Sequence, residues 1–217
     1  MTYTRDLDST IPLLPVSSDD YEQWLENAPA HHRRWLNSAG FSAKPGSWCG
    51  LPDEQGELES CVFGMAGSGW LYQLAGLPAK LPEANYRLVS VWNEDQRIQA
   101  SIGWGLASYQ FERYKKGMGK QARLYLEDDI ADPVESVNGA SGLVRDLVNT
   151  PTEDMGPREL ADAVKIEAKK FKARVEIIKG DELLSENYPA IHAVGRASDE
   201  EPRLVKMTWG DKNAPLL

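Results

Sequence analysis

Three histidines, two cysteines and a few adjacent carboxylates carry most of the reactive chemistry in this sequence, and their spacing is unpromising. His31 and His32 are neighbours. Successive side chains on a helix point in different directions, so we expect these two on the surface, not facing one metal. His192 stands in an apolar run, Ala190-Ile191-His192-Ala193-Val194, and reads as a hydrogen-bonded core or edge residue. Cys49 and Cys61 form no CxxC pair and are too few for a disulfide framework. Asp128–Asp129 and Glu200–Glu201 are adjacent instead of convergent, the pattern of solvated loops. In Gly64-Met65-Ala66-Gly67-Ser68-Gly69 the glycines run in the wrong order for a dinucleotide fingerprint, and we expect a tight strand-to-helix turn. No HExxH, GxSxG or GxxxxGK[ST] occurs. Trp104, Tyr109, Phe111 and Tyr114 invite reading as a stacking platform, but no basic groove accompanies them, and one helix packed into a core explains them better. The residues alone therefore assign no catalytic, cofactor-binding or metal-ligating position.

Charge narrows the partners. The 217 residues include 24 Lys and Arg against 33 Asp and Glu, a formal charge of −9. The acidic excess is spread over both halves, and phosphate binding needs a basic footprint, so nucleic acid and anionic membranes are disfavoured. Ser60–Ala79 carries no charge, but its glycines, serines, proline and glutamine break any membrane span. Met1–Thr10 has Asp6 and Asp8 and no apolar stretch, so we expect no secretory signal and a cytoplasmic protein. The length suits one large domain or two small ones with an ordinary core.

The elements follow from capping and periodicity. Ser17 or Ser18 is placed to cap a helix through Leu25, and Ala30–Ala39 is a second helix ended by Gly40. Ser47–Leu51 and Leu58–Gly64 read as strands flanking a turn, and Tyr86–Trp92 as another strand. Asn93 and Gln96 fit a capping box for a helix running to Gly117, with Ile98, Ile102, Leu106 and Tyr109 on one stripe. Ala122–Leu126 is strand-like. Asp132-Pro133-Val134-Glu135 then predicts a helix start, and Pro151 a stop near Asn149. A helix over Pro157–Phe171, a strand over Ala173–Lys179, a short helix capped by Asp181 and a strand over Arg203–Trp209 complete the alternation. Helices alternating with strands imply an α/β fold with a largely parallel sheet. Gly139 and Gly142 inside the fourth helix suggest a close neighbour there.

One block is more specific. Arg145-Asp146-Leu147-Val148-Asn149-Thr150-Pro151, then Asp154-Met155-Gly156-Pro157, Leu160-Ala161, Gly180-Asp181-Glu182-Leu183-Leu184, Ala193-Val194-Gly195-Arg196-Ala197-Ser198 and Pro202-Arg203-Leu204 resemble, in order and spacing, the entry to the catalytic domain of the leucyl (cytosol) aminopeptidase family. Phe41, Gly46, Leu74–Pro82, Tyr86-Arg87-Leu88 and Gly103–Tyr114 resemble its N-terminal domain more loosely.

The resemblance implies an N-terminal α/β domain over 1–130, a connecting helix over 131–150, and the first βα units of an incomplete second α/β domain over 151–217. It implies a metal-dependent exopeptidase that removes N-terminal residues from peptides, with two divalent cations, Mn²⁺ or Zn²⁺, held by Asp, Glu and Lys. In the family those ligands follow the strand that Leu216–Leu217 would begin, so none is expected in this chain, and the chain by itself is expected to be inactive. A homo-oligomer, a hexamer as in the family, is implied too. Arg145 and Arg196 are expected to hold carboxylates and fix the domains together. The contrasting expectation is a free-standing, non-catalytic α/β binding or assembly module. Under the truncation reading, Leu204, Val205, Met207 and Trp209 should be partly uncovered.

Overall fold

The computed structural model describes residues 2–65, 69–117, 119 and 121–211. Two compact units divide the chain, Met1–Val144 and Arg145–Leu217. Both are mixed α/β, as the alternation implies.

In the first unit, strands β1 (Tyr3–Thr4), β2 (Thr10–Ser17), β3 (Trp48–Pro52), β4 (Leu58–Met65), β5 (Asn85–Leu88) and β6 (Arg123–Tyr125) form one sheet in the order β1-β6-β5-β2-β4-β3. Every pairing is parallel except β3–β4. Helices α1 (Tyr21–Asn27) and α2 (Ala30–Ala39) follow β2, α3 (Glu94–Ser108) follows β5, and α4 (Asp128–Asn149) follows β6. A 3₁₀ turn, Trp70–Tyr72, packs on α3.

The interior strand β2 contains Pro12 and Pro15, which a strand flanked on both sides disfavours. Register explains why they are tolerated. β2 pairs with β5 through Thr10–Leu13 and with β4 through Leu13–Ser17. The Leu13 carbonyl accepts from Val89 N–H on the β5 side, so by alternation Pro15 faces that side and Pro12 the other. Each proline thus turns its missing N–H toward a stretch where that neighbour has no partner residue.

Core packing decides most boundary corrections. Leu13, Phe63, Tyr86, Trp104, Leu124, Leu126, Ile130 and Val134 belong to one buried cluster between the sheet, α3 and the start of α4. Ile130 and Ala131 draw the chain into helix before Pro133, so α4 begins at Asp128 and Pro133 lies inside it, not in the first turn. Helix α3 has the expected capping box, with Gln96 N–H donating to Asn93 Oδ1 and Asn93 N–H to Gln96 Oε1, both at 3.0 Å. It ends at Ser108, not Gly117. The Ser108 hydroxyl donates to the Trp104 carbonyl at 2.8 Å, and Tyr109 turns extended. Trp104 is buried, whereas Tyr109, Phe111 and Tyr114 lie beyond the helix, so the single aromatic helix is corrected. Strand β5 stops at Leu88 because β2, past Leu13, pairs only with β4.

One glycine that a close approach requires is Gly103. A Cβ there would overlap the Leu71 carbonyl, which packs directly on α3. The expectation for α4 was wrong: a Cβ on Gly139 or Gly142 meets nothing within 4 Å among the described residues. Val137, Val144 and Val148 along α4 are exposed.

The second unit places α5 (Pro157–Lys170) against β7 (Arg174–Lys179) and β8 (Arg203–Thr208), with short helices α6 (Glu182–Ser185) and α7 (Pro189–Gly195) between the strands. β7 and β8 pair antiparallel from Arg174↔Thr208 to Lys179↔Arg203, where the alternation implied parallel pairing. Met207 and Trp209 are exposed, and Leu204 and Val205 half-buried, as expected. Asp181 stands at the N-cap position of α6 as expected, but its side chain makes no capping hydrogen bond. The strand expected at Leu216–Leu217, and Ala66–Ser68 of the glycine turn, lie outside the described residues.

Candidate functional site

The second unit carries a groove of about 1030 Å³ built by the residues of the specific sequence blocks. Met155, Pro157 and Leu160 come from the entry to α5, Ile191 and Val194 from α7, and Pro202 from the approach to β8. Gly195 has a steric role here, since a Cβ on it would overlap the Pro202 ring. The walls are mostly apolar, and Val194 is 88% exposed.

Polar groups gather at the start of α5. Gly156 N–H donates to Glu159 Oε2 at 3.1 Å, and Arg158 N–H to Glu200 Oε2 at 3.3 Å. The Arg158 guanidinium pairs with Glu159 at 2.9 Å and with Glu200 at 3.9 Å. Carboxylates are favoured at a helix N-terminus. Hydrogen bonds from its own backbone N–H and from Arg158 hold the Glu159 carboxyl below the usual range. A general acid needs the opposite shift, so this arrangement caps a helix and does not poise it for proton transfer.

The sequence-level candidates disperse. His192 Nε2 meets Asp181 Oδ1 at 3.1 Å, an edge contact with no Ser, Thr or Cys bonded to the ring among the described residues. Arg196 is exposed and pairs with no described carboxylate. Asp129 is ion-paired to Arg97 at 2.6 Å and Asp128 to Arg5 at 3.6 Å, both in the first turn of α4, and Glu201 to Lys179 at 3.4 Å. The first acidic pair is therefore not a solvated loop. Burial pushes the Cys61 thiol up to about 12 and raises that of Cys49, which removes both as ready nucleophiles.

One expectation fails outright. His31 and His32 do converge, with Glu59: one ligand atom from each lies within 4.8 Å of the other two. The imidazole centroids are 4.1 Å apart and tilted by 55°. His32 is buried, and its Nε2 lies 3.1 Å from both the Pro52 carbonyl and Glu59 Oε2. A kink in the β3–β4 ladder aims the carboxylate. Leu51 pairs with Ser60 and Pro52 with Leu58, leaving Glu59 as the extra residue of a bulge. Neither the bulge nor its reach to α2 was visible in the sequence. Among the described residues this is the one such group of three potential ligands.

Comparison with known proteins assigns both units. The M17 aminopeptidase N-terminal domain matches residues 11–127, and the catalytic domain of the cytosol aminopeptidase family matches residues 142–216. A probable cytosol aminopeptidase of Aeropyrum pernix is 31% identical over 195 residues, covering 83% of this chain and 39% of that protein. Peptidase B of Cronobacter sakazakii is 37% identical over 127 residues, or 54% of this chain and 30% of that protein. The crystal structure of cytosol aminopeptidase from Coxiella burnetii superposes with a TM-score of 0.92 at 36% identity, covering 97% of this chain and 46% of that one. The bottromycin maturation enzyme BotP, in complex with Mn, shares the fold at a TM-score of 0.73 and 19% identity, over 94% of this chain and 46% of its own. The chain spans less than half the length of these relatives.

Proposed function

Because the chain belongs to the cytosol (M17) aminopeptidase family, we propose that it forms the N-terminal domain and the opening of the catalytic domain of a metal-dependent aminopeptidase. The observation that carries this reading is the order of the two matches, N-terminal domain over 11–127 and catalytic domain over 142–216, within one superposable chain. In the whole enzyme the substrate is a peptide, cleaved at its N-terminal residue. We propose a cytoplasmic setting, in line with the relatives' printed names; no described helix is long and apolar enough to cross a membrane. A homo-oligomer, hexameric by resemblance, is part of the same proposal, as is a division into an N-terminal domain over 1–130, a joining helix over 131–150 and the start of the catalytic domain beyond.

Two divalent cations, Mn²⁺ or Zn²⁺, would polarise the scissile carbonyl and activate water in such an enzyme. The described residues do not fit that pair. Their one convergent group offers two imidazoles and a carboxylate, and the resemblance implies a set of Asp, Glu and Lys. No step of cleavage is therefore assigned to residues of this chain. The groove of the second unit fits the same reading as a surface for further catalytic-domain structure.

The test is an assay of the purified 217-residue chain with leucyl-p-nitroanilide and added Mn²⁺ or Zn²⁺, beside a fusion carrying the remaining catalytic domain of the Coxiella enzyme. We expect no turnover from the chain and metal-dependent turnover from the fusion. Saturable, metal-dependent turnover by the chain itself, surviving repurification, would overturn the partial-enzyme reading. A folded fusion that binds metal and remains inactive would favour the non-catalytic module.

A further inference from the structure

We propose that His31, His32 and Glu59 form a binding site for one divalent transition-metal ion, of the class of Zn²⁺, Co²⁺ or Ni²⁺. The inference rests on side chains of the first unit and is independent of the proposed peptidase activity.

Donor chemistry sets the class. Two imidazole nitrogens and one carboxylate oxygen suit borderline ions, whereas Mg²⁺ and Ca²⁺ prefer all-oxygen shells. Two His and one Glu, with an open position, is a recurrent zinc donor set. Ligands about 2.0–2.1 Å from a tetrahedral ion lie roughly 3.3 Å from one another, so the present group must contract from its 4.8 Å limit. The Glu59 side chain is 54% exposed and free to swing inward, while His32, at 8%, is a fixed anchor. The Pro52 carbonyl, 3.1 Å from His32 Nε2, is placed to be a further oxygen ligand.

Two observations favour an ion over a plain hydrogen-bonded histidine. The first is His31 Nε2, which is buried and has no hydrogen-bond partner. Such an atom costs free energy unless something occupies its lone pair or takes its proton. The second is electrostatic. Both rings sit in the first turn of α2, at the positive end of the helix dipole. That end repels a cation, and the bulge supplies the compensating charge by aiming Glu59 at the pair. In the metal-free state the Glu59 and Pro52 acceptors favour the proton on His32 Nε2. Ligation through that nitrogen moves the proton to Nδ1, with no change in the charge of the ring.

The experiment titrates the chelator-treated 217-residue chain with Zn²⁺ by calorimetry and follows histidine ring nitrogens by NMR. We expect one ion per chain, with His31 and His32 ring signals shifting together. We expect Glu59→Gln and His31→Asn each to weaken binding by more than about tenfold, with little change in metal-free melting temperature. His32→Asn risks the fold, because the ring is buried; the ring spectra of the unmodified chain keep the proposal testable without it. Absence of binding at millimolar Zn²⁺ would overturn the site. So would saturable binding that leaves the His31 and His32 rings unmoved and survives both substitutions.

Discussion

The two units solve the same packing problem to different degrees. In the first, a largely parallel sheet is closed by α3 and the start of α4, and Trp104, Tyr86, Phe63 and Leu124 are essentially removed from water. In the second, a two-stranded ribbon lies against α5, and among the described residues the buried apolar side chains are Ala161, Ala168 and Leu183. Leu160, Ile166, Phe171 and Val194 remain exposed there. A two-stranded sheet covered by one long helix and two short ones buries too little to be robust. The lesson is that a regular succession of helices and strands does not guarantee a closed core: the number of strands that pair does.

Truncating one buried side chain in each unit tests this contrast most strongly. Trp104→Ala should cost about 3–5 kcal/mol and Leu183→Ala about 2 kcal/mol, the smaller loss because an open site relaxes and hydrates more easily. Denaturant titration followed by hydrogen exchange of each unit measures both. Equal losses would mean that the second unit is as tightly packed as the first.

Next in size is Gly142→Ala. Open space around this position leaves helix propensity in control, so α4 should gain about 1 kcal/mol. A lower melting temperature would reveal a neighbour on this face.

Acid should act most weakly, and in the same direction on both units. Hydrogen bonding and charge from Arg97 lower the Asp129 carboxyl in the first, and Lys165 does the same for Asp162 in the second. A depressed carboxylate contributes stability that is present above its unfolded value of about 3.9 and is lost as pH falls through the native one. Both groups are exposed, so the effect is small. Asp129→Asn and Asp162→Asn should each flatten part of the fall in melting temperature below about pH 4. An unchanged acid profile would place the acid-sensitive groups elsewhere.

Local signals made much of the fold legible. The capping pair Asn93 and Gln96, the left-handed Gly40 and the helix stop at Pro151 each act through neighbours in sequence, and each appears where expected. What escaped depends on partners far along the chain. Ile130 extends α4 backward because the core needs it, and β5 ends early because β2 changes neighbours. The same holds for the His31–His32 pair. Helix geometry taken alone separates adjacent side chains, and only the bulge at Glu59, set by pairing with Pro52, gives them a shared third group. The family blocks were legible as pattern, but the groove they line needed the structure, since Gly195 and Pro202 meet only in three dimensions.

The prolines of β2 have a consequence before the chain is folded. Thr10–Ser17 is short, uncharged and apolar, the composition from which chains stack into cross-β fibrils. Such stacking asks every residue to donate to the copy above, and Pro12 and Pro15 cannot. The native ladder tolerates them only because its two neighbours share the strand lengthwise. Newly made or heat-opened chains thus carry a segment that can find its place in this sheet but is a poor template for copies of itself.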